Sequence, residues 1–135
     1  MKKILRLVSL LSFIAPAAFG AEVPKISPID AAQLVANGSA VLVDVREPAE
    51  WGETGVVTGA ALLPKSDFDG DRKLWRDFLA QTGDKQLILY CRSGKRAGTV
   101  AAELARQGRQ VANAGGFKDW QDAGQPVRKI EAAKP

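Results

Sequence analysis

Leu87-Ile88-Leu89-Tyr90-Cys91-Arg92-Ser93-Gly94-Lys95-Arg96-Ala97 is the stretch that decides the fold. Residues 87–90 form an unbroken apolar run, the pattern of a parallel strand covered on both faces. A short loop with one glycine and three cations follows. Beyond it the period changes: Ala97, Val100, Ala101, Leu104 and Ala105 recur at helical spacing, and Gly108 stands where a C′ glycine belongs. A buried strand feeding an amphipathic helix is half of a βαβ unit. Its loop lies outside the carboxyl end of the strand, where open α/β sheets bind ligands.

The flanking sequence extends the pattern. Ser27 is a plausible N-cap, Pro28 suits the first helical position and Asp30 favours the helix dipole, so a helix is expected from there to about Asn37-Gly38. Residues 41–45 (Val-Leu-Val-Asp-Val) read as a strand. Leu74, Trp75, Phe78 and Leu79 give a helical stripe before Gly83. Val111-Ala112 reads as a short strand, and residues 117–121 as a last short helix. Alternating strands and helices imply right-handed crossovers and an open α/β sheet. Trp51 and Trp120 are expected in the core. No internal repeat or second domain is visible.

Composition narrows the chemistry. The 135 residues include one cysteine and no histidine. That excludes Ser-His-Asp and Cys-His catalysis, imidazole metal sites, an intramolecular disulfide and a zinc or iron–sulfur cage. No cofactor and no metal are expected. The formal charge of +4 would suggest an acidic partner until it is located. Lys2, Lys3 and Arg6 precede an apolar run over 7–19, and Ala18-Phe19-Gly20 supplies small residues before a cut at Ala21. This is the layout of a secretory signal peptide over 1–20, and the run is short for a membrane span. The expected mature domain covers 21–128, with a loose tail over 129–135, and the charge of the mature chain from 21 to 135 falls to +1 once the three leader cations are removed. A periplasmic or secreted protein follows, with no nucleic-acid partner and no stable membrane anchor. The remaining positive charge is local. Residues 92–109 hold Arg92, Lys95, Arg96, Arg106 and Arg109 against Glu103 alone.

Cys91 is therefore the candidate nucleophile. Free N–H groups at a helix start form an anion nest, and helix N-termini with neighbouring cations lower thiol pKa values from about 8.5 toward 7 or below. Arg92, Ser93, Gly94, Lys95 and Arg96 are the candidate substrate-binding residues. The spacing is C-x4-R, one residue shorter than the C-x5-R of a phosphate-cradling tyrosine-phosphatase loop. A tighter ring of amides suits a terminal sulfur better than a full phosphate. Phosphatase or arsenate-reductase chemistry is thus the minor enzymatic alternative.

At these residues the chain resembles the single-domain rhodaneses, which are sulfurtransferases. Cys91-Arg92-Ser93-Gly94-Lys95-Arg96 is similar to their active-site loop. Asp44-Val45-Arg46-Glu47-Pro48-Ala49-Glu50-Trp51, continuing to Gly59-Ala60-Ala61-Leu62-Leu63-Pro64, resembles their opening signature. Asn113-Ala114-Gly115-Gly116-Phe117-Lys118-Asp119-Trp120 resembles their closing segment. The leader and the Asn-Ala-Gly-Gly block look most like the secreted phage shock protein E type. Gly55-Val56-Val57 departs from the usual Gly-His-Ile, which puts the neighbouring loop rather than catalysis in question.

The resemblance implies a single rhodanese-like α/β domain with an open, mainly parallel five-stranded sheet and helices on both faces. It also implies a mechanism. Cys91 takes the outer sulfur of a small anionic donor such as thiosulfate as a persulfide and passes it to cyanide or a thiol. Arg92, Lys95 and Arg96 would attract the donor, and Asp44 and Arg46 would brace the loop by an ion pair. A monomer is expected. The contrasting reading is a rhodanese-fold binding or redox-sensing module whose cysteine does not turn over. Asp67-Phe68-Asp69-Gly70-Asp71 resembles an EF-hand fragment, but Lys65 and Arg76 fall at its first and twelfth positions, so a solvated turn capping the next helix is expected instead.

Overall fold

The computed structural model describes residues 22–131, so the leader and the end of the tail lie outside the described residues. The elements in chain order are α1 (Pro28–Ala36), β1 (Ala40–Asp44), α2 (Pro48–Thr54), β2 (Val56–Val57), β3 (Ala61–Leu62), α3 (Lys65–Asp69), α4 (Lys73–Thr82), β4 (Gln86–Cys91), α5 (Lys95–Arg106), β5 (Val111–Gly116), α6 (Phe117–Asp122) and β6 (Val127–Arg128). The main sheet runs β3-β1-β4-β5, all parallel, and β2 pairs with β6 in a small antiparallel sheet. No described helix is long and apolar enough to cross a membrane.

The α/β class stands, with four strands in the main sheet rather than five. The outer lane beside β5 is a single parallel bridge between Lys25 and Asn113. Pro24 and Pro28 bracket that segment, and proline cannot donate to a ladder.

β4 separates two cores by its pleat. Leu87, Leu89 and Cys91 face one layer with Trp75, Ala97, Val100, Ala101 and Leu104. Ile88 and Tyr90 face the other with Ala31, Leu42, Phe117 and Trp120. All five β4 residues named are 0% exposed, which explains why the run is apolar without alternation. Trp51 and Trp120 are buried.

α1 starts as its caps dictate: the Asp30 N–H donates to Ser27 Oγ at 3.1 Å. The α4 stripe is narrower than its spacing suggests. Trp75 is buried edge-on against Phe68, Phe78 and Leu79 are half-buried, and Leu74 is 50% exposed. The acidic cluster is mostly the short helix α3 rather than a turn. Its carboxylates do cap α4: Asp67 Oδ2 accepts from the Trp75 N–H at 3.0 Å and Asp71 Oδ1 from the Lys73 N–H at 3.1 Å.

Candidate active site

Cys91 ends β4 beside Gly116 of β5 and is completely buried. The chain then turns through Arg92 and Ser93, both exposed, to Gly94, whose φ of 94° begins α5 in the left-handed region that glycine adopts without strain. This turn points the start of the helix back at the sulfur. The Gly94 N–H donates to Sγ at 3.0 Å and the Ala97 N–H at 3.4 Å. Two backbone donors thus converge on one sulfur.

The floor under the loop is the Asn-Ala-Gly-Gly block. Asn113 Nδ2 donates to the Gly94 carbonyl at 2.9 Å, and Asn113 Oδ1 accepts from the Gly115 N–H at 3.0 Å. The Gly116 N–H donates to Asp119 Oδ2 at 2.9 Å. A Cβ on Gly116 would collide with the Arg92 carbonyl, and one on Gly94 would lie 3.2 Å from Gly115 Cα. The loop rests directly on bare backbone. Of these residues Asn113, Gly115 and Gly116 belong to β5, whose sequence read as a short strand, and Asp119 to α6; only the resemblance marked them for the site.

The cations of the loop divide. Arg92 and Lys95 are exposed, and neither joins an ion pair among the described residues. Arg96, expected beside them as a free anion attractor, is paired: its Nη1 and Nη2 donate to the two oxygens of Glu50 at 2.6 and 2.9 Å. This bidentate bond holds the Glu50 carboxyl down at about 2, well below the usual range, and raises the Arg96 pKa. Glu50, 46 residues away in sequence, stands in the stretch that resembles the family's opening signature, but nothing local marks it as the partner of Arg96. Its helix is tied down separately, because Glu47 accepts from the Ser66 N–H at 3.0 Å and from Ser66 Oγ at 2.6 Å.

Asp44 and Arg46 form the expected ion pair at 2.7 Å, with side chains 0% and 2% exposed. Its reach differs from the expectation. Arg46 donates to Thr54 Oγ1 at 2.8 Å and to the Gly55 carbonyl at 2.9 Å, so the pair clamps the end of α2, not the cysteine loop. The connection to the loop is indirect, through Glu50 on that same helix. The guanidinium lies 4.3 Å from the centre of the Phe117 ring, and the Tyr90 ring is also beneath it at 5.8 Å. Burial pushes the Tyr90 hydroxyl well above its ordinary pKa, and its oxygen accepts from the Val57 N–H at 3.0 Å. Val56, at the position of the usual histidine, is fully buried in β2.

Two depressions flank the loop. One of about 300 Å³ lies among Arg46, Glu50, Thr54, Arg92 and Phe117. The other, about 590 Å³, lies among Lys25, Ser93, Lys95 and Ala114.

A four-stranded parallel sheet with a lone thiol at its carboxyl edge, cradled by the amides of the following helix, defines a class of single-cysteine α/β domains. Residues 27–123 match the family described as Rhodanese-like domain, and the chain belongs to that family. It is 33% identical over 113 residues to the thiosulfate sulfurtransferase GlpE of Actinobacillus succinogenes, covering 82% of this chain and 96% of that protein. It is 34% identical over 111 residues to an uncharacterized protein of Synechocystis, covering 80% of this chain but spanning only 58% of that relative's length. Among solved structures, a rhodanese-related protein from Thermoplasma volcanium superposes with a TM-score of 0.66 at 24% identity, covering 79% of this chain and 99% of the other.

Proposed function

We propose that this protein is a sulfurtransferase that carries sulfane sulfur on Cys91. The observation that carries the reading is the pair of backbone donors on Sγ, from Gly94 at 3.0 Å and Ala97 at 3.4 Å. The family, and a relative named as a thiosulfate sulfurtransferase over nearly its whole length, support it.

With thiosulfate as donor, the Cys91 thiolate attacks the outer sulfur. The sulfur–sulfur bond of the donor breaks and sulfite leaves with the electron pair. The outer sulfur remains on Cys91 as a persulfide, held by the amides of the loop. Cyanide or a thiolate then attacks that sulfur, and Cys91 departs as thiolate. Arg92 and Lys95, free of carboxylate partners among the described residues, attract the anionic donor, while Arg96 is held by Glu50 and sets the loop's position. This is nucleophilic catalysis with preorganised electrostatics. The basic, apolar and small-residue pattern of residues 1–20 supports export, so the reaction is placed in the periplasm or outside the cell, in a secreted rhodanese of the phage shock protein E type.

The test is intact mass. Wild-type protein is expected to gain about 32 Da (one sulfur atom) from thiosulfate, and Cys91→Ser to gain nothing. No gain with any sulfane donor overturns the reading. A binding or redox-sensing module that does not turn over is the competing reading, and the complete burial of Cys91 favours it. Such a module would leave the mass unchanged. Turnover of p-nitrophenyl phosphate would instead point to a phosphatase.

A further inference from the structure

The cavity of about 590 Å³ is larger than a donor as small as thiosulfate fills. It shares no lining residue with the depression beside α2. Its volume is in the range of pockets that hold a substrate of many heavy atoms. Most of its polar groups are already engaged. Asn113 is bonded through both side-chain atoms, to the Gly94 carbonyl and the Gly115 N–H, and Asp119 Oδ2 accepts from the Gly116 N–H. What remains for a ligand is two lysines against one carboxylate, that of Asp119, which is exposed but already held by the Gly116 N–H. Lys25 and Lys95 are exposed on its rim without an ion pair among the described residues, and Ser93 of the loop also lines it. Ile26, Pro28 and Ala114 supply an apolar wall. Gly94 connects the cavity to the chemistry, because it lines the wall while its N–H donates to Cys91 Sγ.

We propose that this cavity is the acceptor subsite and that it binds a small thiol carrying two carboxylates, one for each lysine, with its carbon chain against Ile26 and Pro28. The inference rests on the sulfurtransferase reading. In the step it serves, the acceptor thiolate attacks the outer sulfur of the Cys91 persulfide. A new sulfur–sulfur bond forms on the acceptor, the bond to Sγ breaks, and Sγ keeps the electron pair as thiolate. No external oxidant or reductant enters.

Mercaptosuccinate and the neutral 2-mercaptoethanol are the probes, used against persulfide-loaded protein. Lys25→Glu is expected to raise KM for mercaptosuccinate about tenfold and to change that for 2-mercaptoethanol less than about twofold. The substitution spares the local backbone, since the Lys25 segment is held by main-chain bonds between Ile26 N–H and the Asn113 carbonyl and between Asn113 N–H and the Pro24 carbonyl. Lys25→Met, expected to give a smaller shift of the same sign, guards against an effect of charge reversal on folding. A parallel shift for both thiols overturns the subsite. Binding of the S-methyl thioether of mercaptosuccinate, followed by calorimetry, needs no turnover. It is expected with wild type and lost in Lys25→Glu. Absence of binding to wild type, or equal binding to both, rejects the subsite even where thiosulfate loading succeeds. Failed loading with intact thioether binding rejects the sulfurtransferase reading instead.

Discussion

Two arginine–carboxylate pairs link the first half of the chain to the site, and they do different work. Asp44–Arg46 is sealed in the core, with side chains 0% and 2% exposed and every guanidinium nitrogen engaged. Glu50–Arg96 is bidentate but partly solvated, with side chains 22% and 30% exposed. A buried charge cannot be left without its partner, whereas a partly solvated one recovers hydration when its partner goes. The inner pair therefore holds the fold, and the outer pair holds the loop.

The largest effect should come from breaking the inner pair. Arg46→Ala strands the Asp44 carboxylate in the core and removes the clamp on Thr54 and Gly55, and a loss of about 3–5 kcal/mol in urea denaturation is expected. A loss below about 1 kcal/mol would erase the contrast between the pairs.

Breaking the outer pair should be milder for stability and visible in pH. The Glu50 carboxyl sits at about 2 in the folded protein against 4.5 ordinarily, so its contribution is fully present above about pH 5 and disappears as pH falls through 2. Glu50→Gln is expected to destabilise by about 1 kcal/mol at neutral pH and to remove that part of the acid sensitivity. Freed from its carboxylate, Arg96 should also slow thiosulfate loading by about tenfold. Parallel stability curves for wild type and variant between pH 2 and 5 would contradict the assignment.

The smallest effect belongs to a pair that is neither buried nor bidentate. Lys118–Asp122 spans one helical turn with side chains 80% and 62% exposed, and Lys118→Ala is expected to leave the thermal midpoint unmoved. A measurable drop would show that exposure is a poor guide to which pairs matter here.

Much of the site was legible in consecutive residues. The strand through Tyr90, the thiol at its end and the helix with Gly108 behind it follow from hydrophobic period and cap chemistry, which act over a few residues. The same local logic placed Ser27 as the cap of α1. It failed where neighbours in space are far apart in sequence. α2 has only one buried residue in seven, Trp51, so it offers no helical stripe. β2, β3 and β6 are two residues each, too short to show alternation. Leu74 looked like core because spacing says which residues share a face, but not how wide the contact is.

By itself, then, the sequence determined that one thiol stands between a buried strand and a helix start, inside a local surplus of cations. No histidine or second cysteine is present to act in its place. Tertiary structure decided what those cations do. Parallel pairing of β4 with β5 brings Asn113, Gly115 and Gly116 beneath the loop. The clamp of Arg46 on the end of α2, with Glu50 on that helix, then turns Arg96 from a free charge into half of an ion pair, leaving Arg92 and Lys95 exposed to anions. The reason is physical: a charge's availability depends on which carboxylate the fold brings within 3 Å, and register and crossovers set that distance, not spacing along the chain.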